Sequence, residues 1–264
     1  MWEMIYEKAI RDDGSLFFPE RLSKEFLDQQ HKMLGSYIFA NQYQNVVIPD
    51  DAKSFKKEWF RYFETIPAPT NTFVFIDPAI GTDVHNDFTA LVVIKVDEDK
   101  KWYVVAANRY KISPTEIVNL VFKANQVFKP MVIGIEEVAY QKALLYMCAE
   151  EMQRRGEVVP VKGIKPDTSK SKSTRILSLV PRFEFGRIYF AQGLTDLEME
   201  LGQFPRGAHD DLIDSLAYMD EIVVYPQKPA KIMTDPAPND PGYESWYIKN
   251  LLKKNKEAYD GESY

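Results

Sequence analysis

The chain has 264 residues, a formal net charge of −6, 45% hydrophobic residues and 13% aromatic residues. That length and apolar share support a sizeable core, as one large domain or one medium domain with appendages. No run approaches the ~18–20 consecutive apolar residues of a membrane span, and the acidic balance argues mildly against a protein coated in nucleic acid.

The N-terminus, beginning Met1-Trp2-Glu3-Met4, lacks the basic-then-apolar pattern of a secretory signal. Residues 1–65 read as an arm. They offer a short helix over Pro19–Leu27, a helical then extended stretch over Ser36–Val47, and an aromatic, basic segment over Lys53–Phe63. Aromatics of this kind are expected to seat an arm on a neighbouring core. Pro67-Ala68-Pro69 then marks a boundary. Next comes Phe73-Val74-Phe75-Ile76-Asp77, a run without polar alternation, which predicts a strand buried on both faces and ending in an acid. Two further apolar runs, Ala90–Val96 and Trp102–Ala107, follow a polar loop and a tight turn and complete an antiparallel meander.

Ser113-Pro114-Thr115-Glu116 is a strong helix start, with Ser at the N-cap, Pro at the first position and Glu at the third. Met131–Ile135 predicts a fourth strand, Tyr140–Arg155 a helix, and Val158–Val161 a short fifth strand. Cys148, the single cysteine, cannot form an internal disulfide; on this apolar helix it reads as a buried, inert thiol in a reducing compartment. Thr168–Arg182 reads as a helix, Phe183–Ala191 as extended, Asp196–Leu201 as a helical turn or two, and His209–Val224 as a final helix. From Pro226 the Pro-rich chain reads as a flexible tail with a short helix over Tyr243–Lys254. The expected divisions are thus an arm at 1–65, a domain at 66–225 and a tail at 226–264. A meander followed by helix–strand alternation gives an α/β fold: a mixed five-stranded sheet with helices on both faces, in ribonuclease H-like connectivity.

Three acidic stations end or open these elements. Asp77 closes the first strand, Glu136-Glu137 closes the fourth, and Asp210-Asp211 opens the last helix. A buried carboxylate is costly unless a metal or another cation offsets it. Alternation puts one of Glu136 and Glu137 on the face of Asp77, and Glu136 is the choice; Glu137 then points to the other face or the rim. Helix capping needs one acid, worth roughly 1 kcal/mol; Asp210, Asp211 and Asp214 exceed that need. Asp214 reads as an exposed helix residue and is given no ligand role. Asp83 and Asp87 in the polar loop, and His209 beside the acid pair, are candidates for contacts behind the primary ligands. Paired divalent cations that cleave a phosphodiester require this residue type, and hard ions such as Mg2+ or Mn2+ prefer carboxylate oxygens. Three scattered histidines and one cysteine exclude a zinc cage.

A basic stretch, Lys162, Lys165, Lys170, Lys172 and Arg175, holds one acid, Asp167. Beside a metal centre its expected role is contact with the DNA backbone. No Gly precedes Lys170 or Lys172 as a nucleotide-binding P-loop requires.

With these residues in view, the chain resembles the nuclease domain of the large terminase subunit of tailed bacteriophages. The resemblance rests on Phe73–Ala79 with Asp87-Phe88-Thr89-Ala90, on Ile135–Gln141 around Glu136, and on His209–Ala217, and covers about residues 70–225. Residues 37–63 are similar to the stretch joining that family's ATPase to its nuclease. The resemblance implies that Asp77, Glu136 and one or both of Asp210 and Asp211 hold the metals, with the choice within the pair open. It also implies cutting of concatemeric double-stranded DNA, a packaging ATPase, small terminase and portal proteins as partners, and a viral protein working in the host cytoplasm. The family's N-terminal packaging ATPase has no counterpart in this sequence. The expectation is a fragment or a split subunit that cuts DNA without translocating it unaided.

Overall fold

The computed structural model describes residues 6–46, 55–78, 88–137, 141–227, 239 and 243–250. Two compact units divide the chain, 1–226 and 227–264. In the second, residues 243–250 are helical, with Tyr243 stacked 5.9 Å from Tyr247 one turn on.

The first unit is built on one mixed sheet. β1 (Thr70–Asp77), β2 (Thr89–Asp97) and β3 (Trp102–Tyr110) form the antiparallel meander, with β4 (Val132–Glu136), β5 (Val161–Ile164) and β6 (Ile188–Phe190) added parallel to it. The order across the sheet is β5-β4-β1-β2-β3-β6. The sheet therefore has six strands where five were expected. The sixth lies within the stretch read as extended; only its Ile188, Tyr189 and Phe190 pair with β3, too short a run to stand out as a strand.

Helices cover both faces, as the absence of polar alternation in β1 requires. α2 (Pro114–Phe128) and α3 (Gln141–Arg155) lie on the side of Val74 and Ile76. α2 starts with a full capping box between Ser113 and Glu116. On the side of Phe73 and Phe75 lie α4 (Lys172–Leu177), α5 (Val180–Glu184), α6 (Thr195–Gln203) and α7 (Asp211–Ala217), followed by a 3-10 turn over Tyr218–Glu221. The expected single helix over Thr168–Arg182 is two short ones. Pro181 lacks the N–H that would bond to Leu177, so the helix restarts with Pro181 in its first turn.

The arm is anchored rather than trailing. α1 (Lys24–Tyr43) begins at the N-cap Ser23 and breaks at Gly35, whose φ of 77° is left-handed. Its break sets Ser36 against α5: Ser36 N donates to Glu184 at 2.9 Å, and its hydroxyl donates to the same carboxylate. Phe55 is buried, with its ring 5.0 Å from Phe183 and 6.0 Å from Phe204. The arm's aromatics thus join the main core, as expected of such a segment. No described helix is long and apolar enough to cross a membrane.

Candidate active site

Strand ends and one buried helix position the acids. Side chains alternate along β1, so Asp77 shares the face of Phe73 and Phe75. β4 runs parallel to β1 with Phe75 opposite Gly134 and Ile76 opposite Ile135; the next rung brings Glu136 beside Asp77. Ile133 and Ile135 belong to the core on the other face, so Glu136 stands on the face of Asp77. The Glu137 carboxylate lies over Gly163, close to Leu145, on the α3 side: a β-carbon at Gly163 would come within 2.6 Å of its Oε2. The two adjacent acids therefore point to opposite faces.

Gly134 has a specific function here. A β-carbon there would lie 2.7 Å from Phe75 Cδ2, so only glycine lets the Phe75 ring rest against β4. That ring stacks on Tyr218, with centroids 4.8 Å apart and planes 5° apart. Tyr218 in turn donates its hydroxyl hydrogen to Glu136 Oε1 at 2.5 Å. The Arg175 guanidinium covers the Tyr218 ring at 4.0 Å and donates twice to Asp214, at 2.7 and 2.9 Å.

Asp214 is 4% exposed, which corrects its expected place on an exposed helix face. α7 lies against the sheet, and every residue from Leu212 to Ala217 is buried. Lys172 balances the helix's acids, its ammonium 2.7 Å from Asp210, 3.6 Å from Asp211 and 3.7 Å from Asp214. Burial would lower the Lys172 pKa, but the hydrogen bond to Asp210 and the three carboxylates outweigh burial and raise it. Burial holds the Asp77 carboxyl well above the usual range, reinforced by the charges of Glu136 and Asp214 and by a hydrogen bond with Glu136. Burial also pushes Asp214 up, against Arg175 and Lys172.

The start of α7 is held from outside the helix. Glu200 of α6, 3% exposed, accepts from Leu212 N at 2.9 Å and Ile213 N at 3.2 Å. Two of the helix's free amides thus find their partner in a distant carboxylate. Arg109 of β3 sits 3.7 Å from the other Glu200 oxygen and 3.4 Å from Asp196. It also covers the Phe88 ring at 5.4 Å, against which His209 packs edge-on at 5.6 Å.

Among the sequence-derived candidates, Asp77 and Glu136 meet directly. Asp210 and Asp211 meet Asp214 at Lys172, and it is Asp214 whose charge acts on Asp77. Lys172 and Arg175, expected on DNA phosphates, are engaged with the acids instead. Lys165 and Lys170 are exposed and, with Arg175 and Tyr218, line a cavity of about 250 Å3 next to those acids. Lys162 is exposed on β5. Asp83 and Asp87 lie outside the described residues. Tyr218, Glu200 and Arg109 were not among the residues singled out from the sequence, and Asp214 was read there as exposed. Tyr218 follows Asp214 by one helical turn, a spacing that could have placed it on the same side; Glu200 and Arg109 carry no local signal.

Among the described residues no three His, Cys, Asp or Glu side chains form a preformed metal cage. The donor set nevertheless fits a hard divalent cation: the carboxyl of Asp77, desolvated and pushed up further by the charge of Glu136, stands where a cation would relieve their repulsion.

The family model for the terminase RNaseH-like domain matches residues 74–220, more than half of the chain and spanning all the acids above. The chain belongs to this terminase family. Its α/β sheet is a ribonuclease H-like fold, with one strand more than expected. No curated protein sequence matches the chain. Similar solved structures include the human cytomegalovirus terminase nuclease domain, at 15% identity and TM-score 0.42, covering 66% of this chain and 94% of that one. The large terminase nuclease of thermophilic phage G20c, solved with bound zinc, is 18% identical at TM-score 0.42, covering 61% and 94%. The yeast mitochondrial Holliday junction resolvase Ydc2 is 15% identical at TM-score 0.38, covering 73% and 89%.

Proposed function

We propose that this terminase domain is a metal-dependent DNA endonuclease that hydrolyses phosphodiesters of concatemeric double-stranded DNA during viral packaging. The observation that carries this reading is the meeting of Asp77 and Glu136 at adjacent strand ends, with Asp214 acting electrostatically on Asp77. Asp77, Glu136 and one or both of Asp210 and Asp211 would hold Mg2+ or Mn2+. When bound, such ions neutralise the scissile phosphate and acidify the attacking water.

The chain's own groups do the rest. Tyr218 fixes the orientation of Glu136 through its hydroxyl, and Arg175 clamps Asp214 with two parallel hydrogen bonds. Lys172 holds the acids of α7 together. Lys165 and Lys170 beside them, and Lys162 on the sheet edge, meet backbone phosphates, contacts that carry no sequence information. The partners expected with this activity are the packaging ATPase, the small terminase and the portal.

Incubation of supercoiled plasmid with the purified chain tests the reading. Nicking and linearisation with Mn2+ or Mg2+, lost with chelator and with Asp77→Asn while DNA binding persists, is the expected result. Cleavage that survives Asp77→Asn, or cutting confined to four-way junctions, would contradict it.

A further inference from the structure

The basic character of this face continues past the acids. Resting on the nuclease reading, we propose that Lys32, Arg182 and Arg187 form a second phosphate-binding station that carries the DNA backbone from the acids toward the arm. Two cavities adjoin here. The one beside the acids is balanced, lined by Lys165, Lys170 and Arg175 against Asp167, Asp220 and Glu221; the next, of about 220 Å3, carries the surplus, with Lys32, Arg182 and Arg187 against Asp220 alone. Ser178 and Asp220 line both, so the two form one groove.

The groove follows a helical path. Ser178 and Leu179, between α4 and α5, keep right-handed helical angles, which places Arg175, Ser178 and Arg182 three and four positions apart along one side. Lys32 comes from α1, which the Ser36–Glu184 hydrogen bonds hold against α5. Arg187 comes from the turn before β6.

Charge selects the ligand. Asp220 is the acid lining the outer cavity, and it is engaged by Arg182 at 2.6 Å. The Arg182 guanidinium also lies over Trp102 at 4.3 Å, which fixes its plane. Arg187 gives one hydrogen to Asp99 O at 3.1 Å, one of the five that a guanidinium can donate. Lys32 and Arg187 are exposed. An excess of cations along a continuous groove, in a chain of net charge −6, suits a polyanion laid lengthwise rather than a single small anion.

Fluorescence anisotropy of duplex DNA with the full chain, titrated with salt in chelator so that no cutting occurs, tests the proposal. Each phosphate contact contributes about 0.9 to the slope of log affinity against log salt, so the double variant Lys32→Gln/Arg187→Gln should lose about 2 from that slope. The same relation, taken from 1 M salt as reference, predicts about an eightfold loss of affinity per residue at 0.1 M salt. Lys123→Gln, on α2 across the sheet, should leave both quantities unchanged. Each single variant alters one exposed side chain, so either alone decides the matter should the double variant fold poorly. Wild-type affinity and slope in the double variant, with Asp77→Asn still abolishing cutting, would overturn this station and leave the nuclease reading standing; the groove would then face an acidic protein surface. A wild-type chain that neither binds nor cuts duplex DNA would overturn both.

Discussion

Tyr218 reaches Glu136 across 82 positions of sequence, its hydroxyl hydrogen donated over 2.5 Å. The contact joins the turn after α7 to the end of β4, and so ties the acids of the last helix to those of the sheet. Removing the hydroxyl alone isolates its contribution. Tyr218→Phe keeps the stack on Phe75 and the Arg175 contact and lets Glu136 rotate. Loss of a hydrogen bond that orients a ligand group reduces activity by about 10–100-fold, with about 1 kcal/mol lost in urea denaturation. Plasmid-cleavage rates and unfolding midpoints measure the two effects separately.

Gly134→Ala tests the layer beneath. The new methyl would meet Phe75 Cδ2 at 2.7 Å and Ile222 Cδ1 at 3.3 Å. Both neighbours are buried core residues with little room to withdraw. Overpacking of this kind costs about 1–3 kcal/mol, and displacing Phe75 moves Tyr218 with it. Urea titration should therefore show destabilisation, accompanied by slower cleavage under conditions where the protein is folded.

Glu200 makes stability depend on pH. Burial pushes its carboxyl up to about 7 from an ordinary 4.5, against the amides of Ile213 and Leu212, which pull it down. A raised folded pKa means that the native state holds the proton more tightly than the unfolded chain. The contribution is fully present below about 4.5 and is lost as pH rises through about 7. Glu200→Gln should flatten that part of the decline, measured as unfolding free energy at pH 5 and pH 7.5. Asp77 and Asp214 are raised too, so some slope should remain.

Cys148 should be chemically silent. It is fully buried, and desolvation pushes its thiol up to about 11, leaving almost no thiolate at neutral pH. A thiol reagent should label it only on the timescale of unfolding, with labelling accelerated by denaturant and followed by mass spectrometry.

The sheet and its acid-bearing ends were legible because burial on both faces leaves a local mark. An unbroken apolar run ending in Asp77, and a second ending in Glu136-Glu137, state where the strands stop and which acid shares a face. α7 left no such mark. Its acids Asp210, Asp211 and Asp214 look like the polar face of a surface helix, yet Asp214 is buried because Arg175, 39 positions away, neutralises it. Lys172 and Arg175 look in sequence like free cations of a basic loop; their engagement with the acids depends on how α4 lies against α7. The capping of α7 by Glu200 replaces a local cap with a distant one, and nothing near Asp211 announces it. β6 was too short to read, and the break before α5 was signalled by Pro181 within an otherwise helical pattern.

On this reading Asp77 and Glu136, with the acids of α7, share divalent cations. A crystal structure of the protein soaked in Mn2+, with anomalous scattering collected to locate the metal, tests it most directly. The account predicts an anomalous peak between the carboxylates of Asp77 and Glu136, with manganese–oxygen contacts of about 2.0–2.2 Å, and Lys172 drawn back from at least one of its acids. Manganese bound elsewhere, with none between Asp77 and Glu136, would contradict it.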